Sequence, residues 1–187
     1  MPRKSSDIEQ EQEKPRPERL GPFLRLKLKG GWELKRILFV CHGNICRSPM
    51  AEFVLRDLIR QKKMDAQVIV ASAGTSAEEL GNPVYPPAQR ILREHGIDPS
   101  GKVARQLTRK DYDAYDYLIA MDGVNLRNMK RLFSGDSEGK CFCLLDLTDR
   151  PREIADPWYS GNFQDTWDDV YEGCQALMLR LASELSN

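Results

Sequence analysis

The chain of 187 residues is 41% apolar and 30% charged, enough for one domain with a sizeable core plus an appendage. Its 28 basic and 28 acidic side chains cancel, so no overall field steers it toward nucleic acid or a membrane surface, and any anion site must be local. Five cysteines, an odd number in a chain too large to need staples, argue against a secreted disulfide framework; with two histidines and no zinc-ligand spacing, neither a metal nor a cofactor is expected.

Residues 1–34 read as an N-terminal extension. Its first part is charged and proline-bearing and is expected to be flexible, and the stretch FLRLKLK then alternates leucine with basic residues as a short edge strand does. This N-terminus lacks the apolar core of a secretory signal, and no stretch approaches the roughly 18 uncharged apolar residues of a membrane span. A cytoplasmic protein without stable membrane insertion, monomeric by default, is expected.

Residues 35–187 form the folded domain, in which strand and helix periods alternate. Arg36 to Val40 reads as a buried strand. Ser48 to about Lys62 reads as a helix with Pro49 in its first turn and an inward stripe that includes Met50, Val54, Leu55 and Ile59. A strand from Gln67 to Ser72, a helix from Pro86 to Glu94 closed by Gly96, and a strand from Tyr117 to Met121 follow. Then come a helix from about Gly123 to Phe133, a strand from Lys140 to Leu145, and a final helix over 164–185 with Trp167, Val170, Cys174, Leu177 and Leu181 on one face. The alternation predicts an α/β fold of three layers: a four-stranded parallel sheet with helices on both faces. In such a sheet ligands bind beyond the carboxyl ends of the strands, where loops lead into helix N-termini.

The segment VCHGNICRSP, residues 40–49, lies at that place. If the backbone from 42 to 47 curls around a point, its N–H groups converge there and the following helix adds its positive dipole end, a cup that suits phosphate. Arg47 can grip two phosphate oxygens with its planar fork. Cys41, at the base of the cup, faces the same donors, which favour its thiolate over its thiol. Gly43 lets backbone approach the anion, Asn44 tolerates the left-handed conformation of a tight bend, and Ser48 can donate its hydroxyl to the Cys41 sulfur. His42, Ile45 and Cys46 complete the loop. A cysteine and an arginine separated by five residues are weak evidence alone, and a cysteine that merely ends a buried strand is the plain alternative. The apolar strand before the loop and the amphipathic helix after it favour chemistry.

Expelling an alcohol or phenol from phosphorus also needs a proton donor, which this cup lacks. The stretch IADPWYSGN offers Asp156 in a Pro-, Gly- and Asn-rich loop, with Pro157 fixing the backbone behind it. Trp158 and Tyr159 suit a wall against a substrate ring. Asp-Pro can also simply start a turn.

Together VCHGNICRSPMAE, SAGTS, HGI, ARQLT, YDYLIAMD and DPWY resemble the low-molecular-weight protein tyrosine phosphatases from about Lys35 to Asn187. The resemblance implies a phosphatase domain over 35–187 that hydrolyses phosphotyrosine, an aryl phosphate monoester, in protein substrates through a phosphocysteine. It implies Cys41 as nucleophile, Arg47 as the phosphate-binding arginine, Asp156 as general acid, Ser48 as an aid to the thiolate and Asn44 as the keeper of the loop shape. It also implies that Cys46 forms a reversible disulfide with Cys41 under oxidation. Many members line the substrate cleft with an aromatic residue after the second strand, where this chain has Glu78 and Glu79. An acidic wall there repels acidic phosphopeptides or attracts basic ones.

Three other readings stand beside this one. Protein arginine phosphatases look similar but carry threonine where this chain has Ile45. Thiol-linked arsenate reductases share the cup but need further redox cysteines, and the region from Asp113 to Ala120 where they lie holds none. A non-catalytic phosphoprotein-binding module is expected to have lost the nucleophile or the acid, and both are present. Cys141, Cys143 and Cys174 read as core thiols, His95 as a helix cap, and Asp122 as a brace for the loop.

Overall fold

Ile37, Leu38, Phe39 and Val40 are all fully buried in the first strand, β1 (Lys35–Cys41), because helices cover both faces of the strand beyond its partly exposed start at Lys35 and Arg36. The computed structural model describes residues 34–185; the flexible extension and the alternating FLRLKLK strand of the sequence reading lie outside them. After β1 the chain forms α1 (Arg47–Gln61), β2 (Val68–Gly74), α2 (Pro86–Glu94), α3 (Lys110–Ala114), β3 (Tyr117–Ala120), α4 (Gly123–Leu132), β4 (Cys141–Cys143), α5 (Pro157–Ser160) and α6 (Phe163–Leu185).

The four strands are parallel in the order β2-β1-β3-β4. Their register sets Cys41 beside Gly74, Val40 beside Ala120, and Ala120 beside Cys143, so the carboxyl ends share one edge of the sheet. Ile37, Phe39 and Cys41 face a core built with α1, α2 and α6, while Leu38 and Val40 face a second core that contains Met129 of α4. This is the three-layer α/β arrangement expected. Each fully buried Leu, Ile or Phe in these layers contributes roughly 1.5–3 kcal/mol.

The fourth strand is shorter than the sequence suggests. Leu144–Leu147 turn into a 3-10 helix, with Asp146 accepting from the Cys143 amide at 2.9 Å. Leu144 and Leu145 are fully buried in either conformation, so their apolarity does not distinguish strand from turn. Helices α3 and α5 were not expected; at five and four residues they are too short to show a helical period. Gly173 in the middle of α6 has a packing reason: a Cβ there would stand 2.5 Å from Leu144 Cγ, so the helix can settle on the 3-10 turn only without one. The His95 ring donates from Nδ1 to the Ile91 carbonyl, 2.9 Å away, and stacks on Trp167 of α6 with centroids 3.7 Å apart. Cys141, Cys143 and Cys174 are buried in the two cores.

Candidate active site

Cys41 is the last residue of β1, and the chain bends over residues 42–46 before α1 begins at Arg47. The bend is closed by Asn44, whose φ of 60° is the left-handed conformation. Its amide donates to Cys41 Sγ at 3.3 Å, and Ser48 Oγ lies 3.0 Å from the same sulfur. From below, β2 braces the bend: the amides of Thr75 and Ser76 donate to the carbonyls of Cys41 and His42, each at 2.9 Å. Gly74 must be glycine for this contact, since a Cβ would come within 2.7 Å of the His42 carbonyl oxygen.

The Asn44 side chain, 1% exposed, holds its own strained backbone from four sides. Its Nδ2 donates to Ser48 Oγ at 2.9 Å and to Ser72 Oγ at 2.7 Å, and its Oδ1 accepts from the Arg105 amide at 3.1 Å and from Lys102 Nζ at 3.3 Å. Ser72 passes its hydroxyl proton toward Glu52, 2.5 Å away, and Glu52 pairs with Arg56 at 2.6 Å and Lys102 at 3.4 Å. Burial lowers the pKa of Lys102, and Glu52 opposes that shift. A charged network thus supports the loop from inside the protein, with every member satisfied.

Arg47, 3% exposed, points its guanidinium under the cleft. Nη1 donates to Asp122 Oδ2 at 2.5 Å and to the Ile154 carbonyl at 3.2 Å, and Nη2 pairs with Asp156 Oδ2. Burial alone would lower the Arg47 pKa, but the negative groups at Cys41, Asp156 and Asp122 outweigh it and raise the value. Asp122 serves twice, because its Oδ1 also caps α4 by accepting from the Asn125 amide at 2.6 Å. Asp156 is fixed the same way: as N-cap of α5 its Oδ1 accepts from the Trp158 amide at 3.1 Å, Pro157 occupies the first helical position, and Oδ2 is left facing Arg47.

Above Cys41 opens a cleft of about 180 Å³. Its floor is the loop of Cys41, His42, Gly43, Ile45, Cys46 and Arg47; Trp158 and Tyr159 line one wall with Asp156, and Glu78 and Glu79 the other. Glu78 pairs with His42 Nε2 at 3.1 Å, while Glu79 accepts from Asn82 at 2.7 Å. Asn44 and Ser48 sit behind the loop rather than in the cleft. Tyr85, which the sequence reading passed over, steadies the aromatic wall, with its ring centroid 5.2 Å from that of Trp158 and its amide donating to the Ile45 carbonyl at 2.8 Å. Burial first, then the negative groups at Cys41 and Asp156, pushes the Cys46 thiol up to about 12.

Among the described residues no group of three or more His, Cys, Asp or Glu side chains is placed to hold a metal ion, and no helix is long and apolar enough to cross a membrane.

A family model described as low molecular weight phosphotyrosine protein phosphatase matches residues 36–187. The low molecular weight protein-tyrosine-phosphatase YfkJ of Bacillus subtilis is 37% identical over 150 residues, covering 79% of this chain and 96% of that protein. The low molecular weight phosphotyrosine protein phosphatase of Gallus gallus is 41% identical over 145 residues, covering 76% and 90%. The crystal structure of YfkJ superposes with a TM-score of 0.80 at 36% identity, over 83% of this chain and 99% of that one. A drosophila arginine phosphatase superposes with a TM-score of 0.72 at 27% identity, over 79% and 98%.

Proposed function

The chain belongs to the low molecular weight phosphotyrosine protein phosphatases, and from that premise we propose that Cys41, Arg47 and Asp156 carry the hydrolysis of phosphotyrosine in protein substrates. Cys41 attacks phosphorus in line as the bond to the tyrosyl oxygen breaks, and Asp156 gives that oxygen its proton. In the second step Asp156, now a carboxylate, takes a proton from the water that attacks the phosphocysteine, and the sulfur leaves as the thiolate. Arg47 and the loop amides stabilise the equatorial phosphoryl oxygens in both steps. The arrangement that carries this reading is the meeting of three elements at one cleft: the sulfur bonded by Ser48 and Asn44, the guanidinium beneath it, and the Asp156 carboxyl paired to that guanidinium.

Hydrolysis of an aryl phosphate and of a phosphotyrosine peptide by the purified protein and by Cys41→Ser tests it, and equal rates in the two proteins end it. Phosphoarginine belongs in the same assay, because the fold is shared with an arginine phosphatase. Ile45 in the loop favours the tyrosine substrate. Five cysteines, an odd number in a chain too large to need staples, suit a reducing compartment, so we infer a cytoplasmic protein. There, a peroxide would oxidise Cys41 to the sulfenic acid, and Cys46, which lines the same cleft, would attack that sulfur and expel water, closing a disulfide that reduction by a thiol reopens. Disulfide mapping of the oxidised, inactive enzyme tests this, and loss of activity without a Cys41–Cys46 link refutes it.

A further inference from the structure

We infer that Arg152 is a positioning residue for the general acid: by clamping the segment that ends in Asp156 onto α6, it sets where the carboxyl meets the leaving oxygen. The inference rests on Asp156 being the proton donor.

Arg152 precedes Asp156 by four residues in a stretch without regular structure. Its Nε and Nη2 donate to Asp169 Oδ1 at 3.2 and 2.5 Å, and its Nη1 and Nη2 to the two Glu172 oxygens at 3.4 and 2.5 Å. Nη1 also donates to the Arg150 carbonyl at 3.1 Å, which folds the chain back on itself just before the clamp. Asp169 and Glu172 lie one turn apart on α6 and present a two-carboxylate fork to one planar guanidinium. Single ion pairs at a surface contribute little, but a guanidinium shared between two carboxylates fixes direction as well as distance.

The rest of the segment is anchored on the opposite side. Glu153 accepts from the Gly123 amide at 2.9 Å, and Ile154 donates its amide to the Met121 carbonyl at 2.9 Å and buries its side chain in the core. Those contacts tie the acid segment to the carboxyl end of β3, where Arg47 is held. Arg152 ties it to α6 by hydrogen bonds, beside the core that Ile154 shares with α6, and α6 packs on the 3-10 turn with Gly173 against Leu144. With Arg152 cut, Ile154 and the Asp156–Arg47 pair still hold the fold, but once a phosphoryl group takes the Arg47 donor the segment can pivot about Ile154 and carry the Asp156 carboxyl off line. A displacement of about an ångström at a reacting group costs up to 10²-fold in rate, whereas the fold tolerates it.

The test compares kcat/KM for phenyl phosphate, whose leaving group needs a proton, with that for 2,4-dinitrophenyl phosphate, whose leaving group does not. Arg152→Gln is expected to lose about tenfold on phenyl phosphate and stay within about twofold of wild type on the dinitrophenyl ester, the mark of a misplaced acid over an intact cup. Arg152→Lys, which keeps the charge but not the planar fork, should recover only part of the loss. Asp169→Asn combined with Glu172→Gln should reproduce the split, and adding Arg152→Gln to that pair should cost nothing further. Asp156→Asn is run alongside. If it separates the two substrates while Arg152→Gln leaves both unchanged or lowers both equally, the clamp is overturned and the acid assignment stands. If Asp156→Asn itself lowers both equally, the acid assignment falls and the clamp with it.

Discussion

Ser48 Oγ lies 3.0 Å from Cys41 Sγ and accepts from Asn44 Nδ2 at 2.9 Å, which leaves its one hydroxyl hydrogen for the sulfur, the nearer of two acceptors, or for the Ala73 carbonyl at 3.4 Å. A hydroxyl donated to the sulfur stabilises the charge that gathers there as it attacks and leaves. Ser48→Ala is expected to lower kcat/KM for an aryl phosphate by about tenfold, in line with the 1.5–3 kcal/mol of a bond to a charged group. The rate of Cys41 alkylation by iodoacetate at neutral pH should fall with it. An unchanged alkylation rate would remove Ser48 from the activation of the nucleophile.

Arg47 Nη2 faces Asp156, and a bound phosphoryl group competes for the same donor. Asp156→Asn therefore has two opposite effects. It should cut kcat/KM for phenyl phosphate by roughly 10²-fold or more, as expected for loss of a general acid. It should also tighten inhibition by inorganic phosphate, since a negative charge beside the anion is gone and the guanidinium is released. A weaker phosphate inhibition in the variant contradicts the competition.

Gly74 touches the carbonyl of His42 where no Cβ fits. Because the obstructing atoms are backbone, Gly74→Ala has to move the loop itself. About 2 kcal/mol of stability and about 10²-fold in kcat/KM are expected to be lost. A urea midpoint and a rate both equal to wild type would show the loop to be softer than its hydrogen bonds indicate.

Stability should fall on the alkaline side. Burial raises the thiols of Cys46 and Cys141 to about 12 and that of Cys143 to about 11, and burial with Glu184 raises Tyr117 to about 12. The fold holds these protons more tightly than the unfolded chain, whose thiols titrate near 9. The associated stability is complete below about pH 9 and is lost as the pH rises toward 12, at up to about 1.4 kcal/mol per pH unit for each group. Thermal midpoints measured by circular dichroism from pH 7 to 11 check the sign. A midpoint that climbs above pH 9 contradicts it.

The residues of the cup are legible in the sequence because they are local: Cys41, Asn44, Arg47 and Ser48 belong to one bend between an apolar strand and an amphipathic helix. Asp156 is legible because the acid stands before a proline in a Pro-, Gly- and Asn-rich loop; that it caps a four-residue helix is not. The supports of the loop are not. Ser72, Lys102 and Arg105 reach Asn44 from 28, 58 and 61 residues away, and no local period encodes such a meeting. Ser72 left one trace, a hydroxyl in the strand VIVASAG where a buried polar group demands a partner. Lys102 left none, since a lysine beside a turn glycine reads as solvated. The clamp at Arg152 is hidden for the same reason, its carboxylates lying 17 and 20 residues farther on.

The order β2-β1-β3-β4 has a consequence for biosynthesis. The reactive sulfur is made early, whereas Asp122 and Asp156 follow Arg47 by 75 and 109 residues. A nascent polypeptide that has completed only β1, α1 and β2 owns a thiol and an arginine but no proton donor. On the proposed mechanism, phosphotyrosine turnover waits until the last third of the chain has closed over the first, and a ribosome-bound fragment holds the thiol and the arginine without their acid.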